Sequence, residues 1–109
     1  MNKTFIVAEM SANHIGKLEN ALQIIRTAKK IGADAIKIQT SKPEYITINS
    51  NKKEFIIHGG TLWDNKTFYD LYTEANTPWE WHEEIFKVAK EEGLICFSSP
   101  FSTMDIDFL

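Results

Sequence analysis

The sequence predicts an α/β protein whose parallel strands are joined by helices. Two observations support this fold class. Strand-like runs occur three times, as apolar stretches at residues 5–10 and 94–97 and as an alternating stretch at residues 35–40. The segments between them contain apolar residues at spacings of three and four, which is typical of amphipathic helices. Strands that alternate with helices are normally parallel and joined by right-handed crossovers.

The first strand is predicted at Phe5–Met10, a nearly continuous apolar run of the kind that is buried on both faces of a parallel sheet. Glu9 is its first polar residue. Residues 11–16 form a connecting loop in which Asn13 and His14 can hydrogen-bond a ligand. A helix should follow from residue 17 and end near Gly32, with an apolar stripe at Leu18, Ala21, Leu22, Ile25 and Ala28.

The second strand, residues 35–40, alternates with a period of two and places Ala35, Lys37 and Gln39 on one face. A lysine and an amide fill an apolar core poorly. We therefore expect this face to point into a polar cavity near the C-terminal end of the strand, where parallel α/β proteins bind ligands.

Residues 41–66 form a long loop with too many aromatic residues to be disordered, and short extended pieces are expected in it at residues 45–48 and 55–57. A brief helical face follows at residues 68–75. The next helix is predicted to begin with a capping box at Thr77, Pro78 and Glu80 and to end at Gly93.

The third strand is expected at residues 94–97, stopping at Ser98-Ser99-Pro100, and Ser102 and Asp105 have the spacing of another helix cap. The pattern fits either a doubly wound sheet or an eight-stranded barrel of about 250 residues. Both are longer than 109 residues. The sequence therefore predicts an N-terminal fragment of a larger protein.

The composition, with 43% hydrophobic residues and a net charge of −3, is that of one ordinary globular domain. No basic run is present that could follow a phosphate backbone, which argues against nucleic acid as a partner. No apolar run is long enough for a signal sequence or a membrane span, so a cytoplasmic protein is expected. Cys96 lies within an apolar run, which favours a buried, reduced thiol over a nucleophile.

Polar side chains should converge where the three parallel strands end. A lysine and serine hydroxyls there suit a small phosphorylated or carboxylated substrate, and a carboxylate can transfer a proton. No Gly-x-Gly-x-x-Gly or Walker-type loop is present, which argues against dinucleotides and nucleoside triphosphates. The candidate site residues are Glu9, Asn13, His14, Lys37, Gln39, Thr40, Ser98 and Ser99.

Each candidate also has a structural interpretation. Glu9 and Lys37 could form a buried ion pair, the Asn13-His14 loop could bond its own backbone, and Ser99 could simply end a strand. His58 and His82 lack partners at metal-binding spacing and are interpreted as structural. The tryptophans at positions 63, 79 and 81 are interpreted as packing anchors, although Trp63, beside Gly59-Gly60, could instead cover a site.

The sequence resembles the sialic acid synthases, which condense phosphoenolpyruvate with an amino sugar to make nonulosonic acids. The resemblance covers the chain from end to end. It is carried by Ile6-Val7-Ala8-Glu9, Asn13-His14, the run from Gly32 to Thr40, and Phe97-Ser98-Ser99-Pro100-Phe101. The branch that makes pseudaminic acid is most similar, through residues 55–63, Tyr69-Asp70-Leu71-Tyr72 and the Trp-rich run at residues 77–82.

The resemblance implies roles for individual residues. Lys37 would bind phosphoenolpyruvate, and Ser98 and Ser99 would bind its phosphate, with Ser99 standing where the family has threonine. Glu9 would contact the open-chain sugar near its reacting carbonyl, and Gln39 would line the sugar pocket. Carbon three of phosphoenolpyruvate would attack that carbonyl, water would add, and phosphate would leave. The sugar would be a 2,4-diacetamido-2,4,6-trideoxy hexose.

The resemblance also implies a TIM (β/α)8 barrel of which residues 1–109 supply the first three βα units. The rest of the barrel and a C-terminal antifreeze-like domain, through which relatives form homodimers, would be absent. Manganese or magnesium would act as a Lewis acid, held by histidines on later strands. The 109 residues alone would be inactive. The alternatives are a synthase for N-acetylneuraminate or legionaminate, and a non-catalytic α/β binding domain.

Overall fold

The computed structural model describes residues 2–109 and contains one open sheet of three parallel strands. The strands are β1 (Val7–Glu9), β2 (Ala35–Thr40) and β3 (Ile95–Pro100), and β2 lies in the middle. Helices α1 (Leu18–Lys30) and α4 (His82–Glu91) pack against the same face of the sheet. The predicted α/β class with parallel strands is confirmed.

The remaining elements are short. Helix α2 spans Pro43–Ile46, α3 spans Phe68–Ala75 and α5 spans Thr103–Phe108, and 3-10 turns occur at Lys53–Phe55 and Trp79–Trp81. Residues 45–46 were expected to be extended, but Pro43 is pre-organised for the first turn of a helix and α2 forms there instead. The helical face predicted for residues 68–75 is confirmed as α3.

The core lies between β2 and the two long helices. Helix α1 buries one face because its apolar residues recur at helical spacing, and it ends where Gly32 takes a φ of +93°. Chain reversal there carries Ala33 into the core immediately before β2. The buried cluster consists of Met10, Ala21, Leu22, Ile25, Ala28, Ala33, Ile36, Ile38, Ile85, Val88, Ala89 and Leu94.

The first strand differs from its prediction. Strand β1 has three residues, and Phe5, Ile6 and Val7 remain 58%, 50% and 42% exposed, so the predicted burial on both faces is wrong. The reason is its position at the edge of the sheet, where the described helices cover one face. Met10 is buried just beyond the strand. An apolar sequence allows a strand to be buried on both faces, but the elements that pack against the strand decide whether this burial occurs.

The capping box predicted at Thr77 does not form. Thr77 is buried and its hydroxyl faces the ring of His14, while α4 begins only at His82 and has no side-chain cap. The equivalent prediction at Ser102 is correct, because the Ser102 hydroxyl oxygen accepts a hydrogen bond from the Asp105 backbone N–H at 3.1 Å. The same spacing therefore gives a cap at one position and a tertiary contact at the other.

Candidate functional site at the strand ends

The strand register brings four of the predicted site residues to one face. Glu9 is paired with Lys37 across β1 and β2, and Gln39 is paired with Ser99 across β2 and β3. Paired residues of neighbouring strands lie on the same face, and residues two apart along a strand do as well. Glu9, Lys37, Gln39 and Ser99 therefore share the face of the sheet that points away from α1 and α4.

The charged pair at this face is accessible. The Lys37 ammonium nitrogen lies 2.8 Å from a carboxylate oxygen of Glu9, and the two side chains are 32% and 42% exposed. The other Glu9 oxygen accepts a hydrogen bond from the Ser11 backbone N–H at 3.1 Å. The ion pair anticipated by the structural interpretation exists, but it is not buried. An exposed pair of this kind adds only about 0–1 kcal/mol to stability, so Lys37 can exchange its partner for an anionic ligand at small cost.

A cavity of about 400 Å³ opens beside Gln39 at the end of β2. Its polar wall includes Ser11, Ser41, Lys42 and Asn76, and its apolar wall comes mainly from the long loop and α3. Trp63 lies in this wall and is 38% exposed. The other lining residues are Ala12, Ile46, Leu71, Tyr72, Ala75, Thr77 and Phe101. The long loop therefore builds one side of the candidate site.

Thr40 and Ser98 do not join the other candidates. Ser98 is paired with Ile38, so its side chain lies on the face of the sheet that packs on the helices. Thr40 is fully buried, and its hydroxyl contacts the Ser98 hydroxyl and the His82 ring. Their direct contact with substrate stays a prediction, and the geometry of these residues gives it no support.

His14 and Asn13 hold the loop after β1. The His14 ring is fully buried; its Nδ1 accepts a hydrogen bond from the Gly16 backbone N–H at 3.1 Å, and its Nε2–H points to the Thr77 hydroxyl at 3.3 Å. The Asn13 side-chain amide donates to the Met10 carbonyl at 2.9 Å. The interpretation of a loop that bonds its own backbone fits these contacts. Substrate binding by either residue stays a prediction.

Burial lowers the pKa of both His14 and His82 below the ordinary value of 6.5. As the pH falls toward and below 6.5, the unfolded state therefore binds more protons than the folded state. The free energy of unfolding decreases as the pH falls. We expect the free energy of unfolding to fall between pH 7.5 and 5.5, by at most about 1.4 kcal/mol per pH unit for each ring. Urea unfolding at pH 7.5 and at pH 5.5 measures this decrease in the free energy of unfolding.

The control for this pH effect is His58, which is exposed. The His58→Gln variant retains both buried rings and should keep the full decrease in stability, whereas His82→Gln should show a smaller one. A wild-type protein whose stability is equal at pH 7.5 and 5.5 would contradict the assignment of neutral, buried rings.

Other chemistries have less support. Cys96 is only half-buried, but burial raises the pKa of its thiol to about 11, so it stays protonated at neutral pH, which fits the expectation that it is not a nucleophile. Within residues 2–109, no group of three or more His, Cys, Asp or Glu side chains is arranged to hold a metal ion. In the same described range, no helix is long and apolar enough to cross a membrane.

Sequence reasoning missed two parts of the site region. It interpreted His82 as structural and did not connect it with Thr40, because the two lie 42 residues apart. It also did not place Leu71 and Tyr72 beside Gln39. The only signals were the helical spacing of residues 68–75 and the aromatic content of the long loop, and neither specifies which strand the segment packs against.

The fold and the position of the site define a parallel α/β protein whose candidate ligand site lies at the C-terminal ends of its strands, as in barrel and doubly wound enzymes. The model of the NeuB family matches residues 24–109. The chain therefore belongs to the NeuB family, and the resemblance seen in the sequence is confirmed.

Curated relatives of the chain include several synthases. It is 60% identical over 107 residues to the pseudaminic acid synthase of Campylobacter jejuni and 47% identical over 104 residues to that of Helicobacter pylori, covering 98% and 95% of this chain. Identity to the N,N'-diacetyllegionaminic acid synthase of Legionella pneumophila is 30% over 96% of this chain. The chain spans 31%, 30% and 29% of the lengths of these three relatives.

Solved structures show the same fold. The N-acetylneuraminic acid (sialic acid) synthetase of Leptospira borgpetersenii, in complex with citrate, matches with a TM-score of 0.77 at 25% identity. The match covers 99% of this chain and 33% of that one. The three strands and their helices therefore correspond to about a third of a longer synthase chain.

Proposed function

We propose that this chain acts within a synthase that condenses phosphoenolpyruvate, a 2,4-diacetamido-2,4,6-trideoxy hexose and water to pseudaminic acid and phosphate. The observation that carries the proposal is the 60% identity to the Campylobacter jejuni pseudaminic acid synthase, against 30% to the Legionella pneumophila legionaminic acid enzyme. In this proposal residues 1–109 are the first three βα units of a (β/α)8 barrel and are inactive alone. The rest of the barrel and an antifreeze-like domain complete the enzyme.

The shared face of the sheet suggests the division of roles. The Lys37 ammonium group would hold the negative charge of phosphoenolpyruvate, and the Ser99 hydroxyl would donate to its phosphate. Glu9, held 2.8 Å from Lys37, would lie near the reacting carbonyl of the sugar. The sugar would extend into the cavity beside Gln39 and Trp63, where an apolar wall suits the methyl groups of a deoxy, acetamido sugar.

Three further features complete the proposal. A divalent manganese or magnesium ion, supplying Lewis-acid chemistry, would be held by histidines on later strands, as the family resemblance implies. The full enzyme would be a homodimer. It would work in the cytoplasm, where phosphoenolpyruvate is made.

Phosphate release tests the proposal. The full-length protein that carries this sequence is supplied with phosphoenolpyruvate and manganese, and with either the diacetamido-trideoxy hexose or N-acetylmannosamine. Release with the first sugar alone is expected. Release with N-acetylmannosamine alone would support the proposed reaction with phosphoenolpyruvate but contradict the proposed sugar substrate. No release with either, from folded and metal-loaded protein, would contradict the proposed function.

One observation favours a second candidate, a non-catalytic α/β binding domain. Lys37 already has a carboxylate partner at 2.8 Å, so its charge is neutralised without any ligand. Replacing Lys37 separates the two candidates, because a structural pair affects stability and a substrate-binding lysine affects turnover.

A further inference from the structure

A chain of hydrogen bonds, buried at its centre and part-buried at both ends, lies behind the candidate site, on the helix-packed face of the sheet. The His82 Nε2 lies 2.7 Å from the Thr40 hydroxyl, which lies 2.5 Å from the Ser98 hydroxyl. The His82 Nδ1 lies 3.0 Å from the Pro78 carbonyl oxygen. Thr40 is fully buried and His82 nearly so, so water does not compete for the bond between them, whereas Ser98 is half-buried.

The direction of the chain follows from its first member. A carbonyl oxygen only accepts, so the Nδ1 of His82 carries the hydrogen and donates it to Pro78. The Nε2 of the neutral ring must then accept from the Thr40 hydroxyl, which leaves the Thr40 oxygen to accept from Ser98. The single Ser98 hydroxyl hydrogen then points to Thr40, and the Ile38 carbonyl oxygen, 3.3 Å from the Ser98 oxygen, is the longer alternative acceptor for it. Burial, which lowers the pKa of His82, keeps the ring in this neutral state.

The location of the chain connects it to the site. On the helix-packed face of β2, Ile36 and Ile38 fill the core, and a hydroxyl appears only at Thr40, the last residue of the strand. Thr40 directly follows Gln39, and Ser98 directly precedes Ser99. Because successive strand residues point to opposite faces, whatever fixes Thr40 and Ser98 behind the sheet also fixes Gln39 and Ser99 in front of it.

We propose that His82 and Thr40 are positioning residues. Together with Ser98, they connect the start of α4 to the ends of β2 and β3. This connection holds Gln39 and Ser99 in the geometry that binds substrate. This inference rests on the proposed synthase function. It gives Thr40 and Ser98 a role behind the site rather than direct contact with substrate. It also gives His82, interpreted from the sequence as merely structural, a part in activity.

Steady-state kinetics of the full-length protein test the inference. Thr40→Val removes the central hydroxyl while nearly keeping the volume, and we expect the KM for phosphoenolpyruvate to rise at least fivefold while kcat changes less. Thr40→Ser retains the hydroxyl and should stay within twofold of wild type. His82→Leu should behave like Thr40→Val, and His82→Gln, whose amide oxygen can accept from Thr40, should recover part of the loss.

The matched control is Ile38→Val, which trims a buried side chain on the same face of the same strand and leaves the hydrogen bonds intact. It should lower the melting temperature without raising the KM. If Thr40→Val is unfolded by circular dichroism, Ser98→Ala removes the far end of the chain and must give the same rise in KM. Normal KM values in the folded variants, from active wild-type enzyme, would overturn this inference alone. Inactive wild-type protein would overturn the proposed function and this inference with it.

Discussion

Lys37→Ala in the full-length protein is expected to lower turnover at least tenfold while the fold is retained. The physical reason is that Lys37 carries the positive charge on the face shared by Glu9, Gln39 and Ser99, and alanine leaves the proposed anionic substrate without it. A tenfold loss corresponds to about 1.4 kcal/mol of lost transition-state stabilisation. Phosphate release at varied phosphoenolpyruvate concentration measures kcat and kcat/KM, and circular dichroism verifies the fold.

The matched control is Lys87→Ala. Lys87 is also a partly exposed lysine with a carboxylate neighbour, Glu84 at 3.5 Å, but it lies on α4. Its removal should leave turnover within twofold, because an exposed pair of this kind contributes little. If Lys37→Ala retains full turnover and only lowers the melting temperature, the pair with Glu9 is structural and the binding-domain candidate gains support.

Ile25→Ala is expected to destabilise the protein by about 2–5 kcal/mol. Ile25 is fully buried on α1 and belongs to the single core cluster that joins that helix to β2 and α4. Alanine removes buried methyl and methylene groups and leaves a cavity that close-packed neighbours fill only partly. Urea unfolding of wild type and variant measures the difference in the free energy of unfolding.

Ile31 provides the comparison, since it is the same residue type just beyond the end of the same helix but is 77% exposed. Ile31→Ala should change stability by less than about 0.5 kcal/mol. Equal effects of the two substitutions would mean that α1 does not pack on the sheet through the face that carries Ile25.

Helix α1 and the central strand follow from local patterns in the sequence. The apolar spacing of α1, its end at Gly32, and the alternation of β2 each depend on residues close together in the chain, so each could be predicted without knowing the fold. The same alternation correctly placed Lys37 and Gln39 on one face. Family membership was also visible in the sequence, because the motifs at the strand ends carry it.

The burial of β1 and the partners of Thr77, Thr40 and Ser98 could not be predicted in this way. Whether Val7 is covered depends on which elements surround an edge strand, and whether the Thr77 hydroxyl caps a helix depends on how close the distant His14 ring comes. The chain from His82 to Ser98 joins residues from three elements. Local sequence therefore determined α1, β2 and the face on which Lys37 lies. Only the tertiary structure decided which polar side chains meet, because those contacts depend on the packing of segments far apart in the chain.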